Sequence, residues 1–259
     1  MSKQHAIYVD HMGTDKSVVN AARLSFGVGK ETNGDLTGAD VSLINFLAYG
    51  LKTSERESII ALIKGGTLDC SIGLDPEIDP KEAALNLYNQ IRHQPVHWTP
   101  FAHTAISIKM KAPIPIRTQC FKHKQGLVEN EESRRYISTT PEIFIPEFRS
   151  KPEGSIKQGS GGLHPDNQFL QEAYKTICND AVELYEDFLK DGVAPEQARI
   201  VLPQGAMVNW LWTGNLLSFA NFYNKRSDSH AQGEIQELAE MVKQVVEPLF
   251  PVSWKALTR

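Results

Sequence analysis

The stretch Lys122-His123-Lys124-Gln125-Gly126-Leu127-Val128-Glu129-Asn130-Glu131-Glu132-Ser133-Arg134-Arg135-Tyr136 crowds four cations, a histidine and three acids into fifteen residues. A solvated helix face would spread its charges and keep an apolar stripe at 3.6-residue spacing. Here the only consecutive apolar residues, Leu127 and Val128, sit in the middle of the charges. The pattern reads as a binding loop. Lys122, Lys124, Arg134 and Arg135 offer charge-assisted hydrogen bonds to an anion, the arginines bidentately, and Ser133 with backbone N–H groups completes a phosphate cradle. A surface salt-bridge cluster with Glu129, Glu131 and Glu132 is the competing reading.

The rest of the chain narrows the anion. A length of 259 residues holds one sizeable core or two modest domains, and 41% hydrophobic with 22% charged residues suits a soluble globular protein. A formal charge of −4 argues against wholesale binding of a nucleic-acid polymer, although a local basic patch still takes a single nucleotide. Cys70, Cys120 and Cys178 form no CxxC pair, so neither a disulfide framework nor a cysteine zinc site is indicated, and a cytoplasmic protein is expected. The N-terminus lacks an apolar h-region, and no apolar span approaches the roughly twenty residues that cross a bilayer.

Taken in order, His5 to Val9 reads as a short strand, and Thr14 or Asp15 caps a helix whose apolar face is Val18, Val19, Ala22 and Leu24. Ala39 to Leu51, Glu55 to Ile63 and Pro80 to His93 read as helices, with an irregular insertion from Leu68 to Pro80. His97 to His103 reads as the entrance to a strand with Ile106, Ile108 and Met110 at period two. Its two histidines lack a carboxylate at matching spacing, so they read as packing residues and no metal site is expected. Pro113 and Pro115 permit a helix from about Ile116 to Lys122. After Tyr136 come a strand to about Ser138 and an edge segment at Phe144 to Phe148, then a flexible loop, Lys151 to Asp166. Asp166 caps a long helix to Lys190 that Gly192 stops. Pro195 starts a short helix that places Glu196 and Arg199 on one face as an i,i+3 ion pair. Val208 to Thr213 is an aromatic core strand, and helices follow from Asn215 to Lys225 and from Gly233 to about Glu247.

Lys122-His123-Lys124, eight residues and Ser133, closing on Asn130-Glu131-Glu132-Ser133-Arg134-Arg135-Tyr136, resembles the flavin-dependent thymidylate synthase signature. That signature runs Arg-His-Arg, seven residues, Ser. Other segments agree in order: Asn20-Ala21-Ala22-Arg23-Leu24-Ser25-Phe26, the His97, Thr99 and His103 set, Glu196 to Pro203, and Asn221 through Gln236. The departures are the two lysines, which keep charge but lose the planar fork, the extra residue, Arg134 where glycine is frequent, and Leu217 where a polar residue often meets flavin.

The resemblance implies a single α/β (α+β) domain over residues 1–259, with a twisted, mainly antiparallel sheet flanked by helices and uncovered insertions at about 30–94 and 150–166. It implies reductive methylation of dUMP to dTMP, with 5,10-methylenetetrahydrofolate as carbon donor, FAD as redox carrier and NADPH as reductant. No cysteine nucleophile is needed, and Cys120 reads as a buried, inert thiol. Carried over residue by residue, Gln119, Lys122, Glu131, Ser133, Arg134, Arg135, Arg199 and Arg226 bind dUMP, and Arg226 is catalytic. Ser25, Thr99, Lys122, His123, Lys124, Glu131, Asn215 and Asn221 bind FAD. The family assembles its site from several subunits of a homotetramer, so the same is expected here.

Overall fold

The computed structural model describes residues 3–65, 77–91, 95–137, 139–152 and 159–258. Cys70, His93, Ser138 and most of the insertion read at Leu68 to Pro80 lie outside the described residues, as do residues 153–158 of the glycine-rich loop.

In chain order the elements begin with strand β1 (His5–Met12) and helix α1 (Asp15–Arg23), which runs on into a 3-10 turn, Leu24–Phe26. Helices α2 (Gly38–Tyr49), α3 (Thr53–Ile63), α4 (Pro80–Ile91) and the single turn α5 (Thr99–Ala102) follow. Strand β2 (Ala105–Pro113), helix α6 (Ile114–Cys120) and strand β3 (Leu127–Glu131) make up the middle of the chain. Then come α7 (Asn167–Lys190) and α8 (Pro195–Ala198), the latter continued by a 3-10 turn, Arg199–Val201. Strand β4 (Met207–Gly214) leads to α9 (Leu216–Arg226), α10 (Gly233–Val246) and α11 (Pro251–Leu257).

The four strands form one sheet in the order β1-β2-β4-β3. The hydroxyls of Ser107 and Thr213 meet at 2.8 Å, and the Ile114 N–H donates to the Ala206 carbonyl at 3.2 Å. Residue numbers rise along β2 as they fall along β4, so these two strands are antiparallel, in keeping with an α/β fold built on an antiparallel sheet. On β2 the fully buried Ile106, Ile108, Met110 and Ala112 alternate with more exposed residues, the period-two pattern of a half-buried strand.

Residue contacts gather into two compact units, each drawn from separated stretches. One comprises Met1–Asp10, Ser107–Thr213 and Phe222–Val245, with Met110, Tyr185, Trp210, Trp212, Phe222, Leu238 and Val242 in its core. The other comprises His11–Ile106, Gly214–Asn221 and Val246–Arg259, and packs Val18, Val19, Ile44, Leu47, Ala48 and Trp254.

Five readings need correction. Leu127–Glu131 within the central stretch is a strand and not a loop. Leu127 is buried, Val128 and Asn130 are exposed, and Glu129 and Glu131 are half-buried. Charged residues therefore hold two of the three inward positions of an edge strand, a device that blocks edge-to-edge pairing but hides the hydrophobic alternation. His97 to His103 is no strand entrance, because the α5 turn, with Pro100 as its second residue, occupies it. Of the strand read after Tyr136, Ile137 is not in a strand and Ser138 lies outside the described residues, and the Phe144 to Phe148 segment is irregular, bracketed by single bridges at Ile143 and Arg149. Pro141 and Pro146 supply no N–H to a ladder. Asp166 occupies the N-cap position of α7 without a capping side-chain bond. Of the two cap candidates for α1, Thr14 takes the N-cap position; the Asp15 carboxylate accepts instead from the Val252 and Ser253 N–H groups at 2.9 and 2.8 Å and so caps α11, a helix that the sequence reading did not include.

Candidate active site

Helix α6 presents functional side chains on two faces. At about 100° per residue, Arg117 and Gln119 point to nearly opposite sides of it. On the first face the Arg117 guanidinium lies 5.2 Å over the Phe121 ring, with Nε 2.9 Å from Glu131 Oε2. That N–H is buried and not aligned on the carboxylate, so the contact is Coulombic and leaves a donor without a hydrogen-bond acceptor.

A cavity of about 500 Å³ opens beside this pair, lined by Arg117, Glu131, Glu132, Ser133, Arg134 and Arg199 together with Ile114, Ile200 and Met207. The Ser133 hydroxyl accepts from the Arg135 N–H at 3.2 Å, which shapes the turn carrying both arginines. Glu132 is fixed to β4, its carboxylate accepting from the Asn209 amide at 2.7 Å and its N–H donating to the Asn209 carbonyl at 2.9 Å. Burial pushes the Glu131 carboxyl upward and Glu132 adds to it, while Arg117 and Arg199 pull it down. Three guanidiniums against two carboxylates leave the cavity positive, which suits an anion.

On the opposite face Arg226, at the end of α9, donates through Nε to His123 Nε2 at 2.9 Å, through one terminal nitrogen to the Gln119 carbonyl at 3.2 Å and through the other to Gln119 Oε1 at 3.4 Å. The Gln119 amide nitrogen donates to Gln232 Oε1 at 2.8 Å. His123 stands edge-on to the buried Phe222 ring, centroids 5.1 Å apart. Burial first, then the charges of Arg226 and Lys225, lower its pKa to about 4, so the ring is neutral at pH 7. Since Nε2 accepts from Arg226, the ring proton is assigned to Nδ1.

The structure thus brings Glu131, Ser133, Arg134 and Arg199 to one cavity, and Gln119, His123 and Arg226 to a second cluster. Arg117 in the first and Gln232 in the second were missed by sequence reasoning. The remaining residues lie as follows. Lys122 is exposed and has no ion-pair partner among the described residues, whereas Lys124 pairs with Glu129 and lies 5.4 Å from the Phe121 ring centroid. Arg135 is exposed and pairs with Glu196 at 3.1 Å, which displaces the Glu196–Arg199 ion pair expected within α8; Arg199 Nε instead donates to the Glu196 carbonyl at 3.3 Å.

In the other unit, Ser25 and Thr99 are exposed, and Asn221 is half-buried on α9. Asn215 Oδ1 accepts from the Ser218 N–H at 2.9 Å and the Ser218 hydroxyl at 2.8 Å, leaving its amide N–H groups without a partner among the described residues. Thr104 braces the same helix start, its Oγ1 accepting from the Leu216 N–H at 2.9 Å. Cys120 is fully buried, and burial raises its thiol pKa far above the ordinary range. Among the described residues no group of three or more His, Cys, Asp or Glu is placed to hold a metal ion, and no helix is long and apolar enough to cross a membrane.

Comparison with known proteins places this arrangement. A family model described as thymidylate synthase complementing protein matches residues 8–252. A flavin-dependent thymidylate synthase of Kosmotoga olearia is 35% identical over 254 residues, 96% of this chain and 87% of the relative. Another, of Thermosipho africanus, is 30% identical over 256 residues, 97% of this chain and 89% of the relative. The crystal structure of PolB, a UMP/dUMP methylase of Streptomyces cacaoi bound with 5-Br dUMP, superposes with a TM-score of 0.73 at 23% identity, covering 98% of this chain and 94% of that one. These matches run along nearly the whole length, and the chain belongs to the thymidylate synthase complementing protein family, that of the flavin-dependent thymidylate synthases.

Proposed function

We propose that the protein methylates dUMP reductively to dTMP, taking its carbon from 5,10-methylenetetrahydrofolate, with FAD as redox cofactor and NADPH as reductant, as a cytoplasmic homotetramer. The observation that carries this reading is the cavity where Arg117, Arg134, Arg199 and Ser133 converge. Its donors match a phosphate monoester, and Glu131 supplies an acceptor that a phosphate alone would not require. The names of the relatives and the 5-Br dUMP bound by PolB support the same substrate class.

Uracil is a weak nucleophile at C5, and its attack on a one-carbon donor becomes easier as negative charge is stabilised on the carbonyl and N3 edge. Arg226 is suited to that task. An arginine carries five N–H donors, three of which are held by His123 and Gln119, so one on each terminal nitrogen remains for substrate. Preorganised in this way, the guanidinium stabilises developing charge without reorganising. Cys120, neutral and buried, is unsuited to covalent attack, which supports a route without a cysteine nucleophile.

The donor chemistry also fits an acceptor-rich flavin nucleotide. Following the resemblance, we assign to it the Lys122 and Lys124 ammonium groups, the His123 Nδ1–H and Glu131 from the first unit, and the Asn215 and Asn221 amides and the Ser25 and Thr99 hydroxyls from the second. Bound flavin supplies the hydride chemistry that no protein side chain can perform.

The test is the visible spectrum of protein incubated with FAD and desalted, before and after dUMP, followed by dTMP analysis of a full turnover. A flavin band perturbed by dUMP and the formation of dTMP are expected. Arg226→Ala is expected to retain flavin while thymidylate formation falls by about 100-fold or more. A colourless protein that bound oligonucleotides in a salt-sensitive manner would replace this reading with a nucleic-acid-binding one.

A further inference from the structure

We infer that His123 is a positioning residue for Arg226: its Nε2 lone pair and the two oxygens of Gln119 together hold the guanidinium in the one orientation that leaves a two-pronged donor face for substrate. This rests on the proposed role of Arg226 and changes what His123 is for, from a contact to flavin alone to the acceptor that aims the catalytic cation.

Three observations carry it. The Arg226 Nε–H···His123 Nε2 bond, at 2.9 Å, is the shortest of the three that hold the guanidinium. It also uses the only N–H on the Nε side, so losing it frees the group to turn about its stem. The imidazole is itself locked, edge-on to Phe222, which is fully buried and stands edge-on to Trp212 at 4.9 Å. Gln119 is oriented from its far side by Gln232, whose Oε1 takes the amide N–H and so turns Gln119 Oε1 toward Arg226. The charged groups facing His123 are Arg226 and Lys225, both cationic. A protonated imidazole beside them would lose its acceptor and repel the guanidinium, so the support depends on the neutral ring.

A cofactor contact and a positioning residue differ in what their loss does. Gln at this position can place an amide oxygen near the former Nε2, whereas Asn is too short and Leu offers no acceptor. With flavin-loaded protein, His123→Leu is expected to lower turnover per bound flavin about 10- to 100-fold, and His123→Gln to restore most of it. dUMP titrations read on the flavin band should show weaker binding for His123→Leu and near wild-type binding for His123→Gln.

The decisive measurement is the double-mutant cycle with Arg226→Ala, read on dUMP affinity as well as turnover. If His123 acts through Arg226, His123→Leu costs little further once Arg226 is gone. Additive losses, or activity that falls only in step with lost flavin, overturn the positioning role while leaving an impaired Arg226→Ala to sustain the proposed function. A fully active Arg226→Ala would instead overturn the assignment of Arg226, and the positioning role with it.

Discussion

Arg117 shows how a single residue can be decisive and still illegible in sequence. Two positions before Gln119 on a short helix, it reads as surface charge, and only the i,i+4 relation to Phe121 marks the face on which it stacks. The fold then sets it against Glu131, on a strand that the sequence did not reveal, with one buried N–H unpaired. Because its guanidinium contacts the cavity rather than the Arg226 cluster, Arg117→Ala should raise the KM for dUMP about tenfold with kcat little changed, the mark of lost uniform binding. A kcat that collapses at unchanged KM would instead place Arg117 at the reacting end of the nucleotide. Gln119, Ser133, Arg134, Arg199 and Arg226 could be drawn into the candidate site from motif order alone, without the geometry.

At the scale of elements, two buried aspartates stitch helices together. Asp15 caps α11 from α1, so Asp15→Ala should strip two N–H groups of their acceptor and cost about 2 kcal/mol, seen as a lower thermal midpoint. Asp15→Asn should recover part of the loss. An unchanged midpoint for Asp15→Ala would show that water serves the helix end equally well. Asp40 closes a reciprocal capping box at the start of α2, its Oδ2 accepting from the Thr37 N–H at 2.9 Å and from Lys16 Nζ at 2.9 Å, with Arg23 2.5 Å from Oδ1. Those partners, the Thr37 N–H foremost, hold its pKa at about 2, below the ordinary 3.8. A depressed carboxylate stabilises the fold fully above the unfolded value and loses that contribution as pH falls toward the folded one. The wild type should therefore lose about 2 kcal/mol between pH 4 and pH 2 that Asp40→Asn does not lose over the same window. Helices α1, α2, α7, α9 and α10 were legible because apolar residues recur at helical spacing over several turns. Strand β3 was not, since Glu129 and Glu131 take inward positions, and α11 was not, since it is short and the acceptor for its Val252 N–H, Asp15, lies 237 residues away.

At the scale of the whole molecule, the two faces of α6 pose a question that one chain does not answer. Arg199 lines the cavity on the Arg117 side, while Arg226 is braced on the Gln119 side. A nucleotide whose phosphate is held by the first and whose base is held by the second is hard to place within one copy, because α6 stands between them. It is readily placed if one subunit supplies the cavity and another the arginine, as a symmetric oligomer allows. Subunit mixing tests this directly. Arg199→Ala and Arg226→Ala proteins, each nearly inactive, are co-expressed with different affinity tags and the mixed oligomers isolated. Shared sites should restore activity, because about a quarter of them would combine an intact Arg199 from one chain with an intact Arg226 from another. Mixed oligomers as inactive as their parents would mean that both arginines serve a nucleotide from the same chain, and that α6 must move aside when substrate binds.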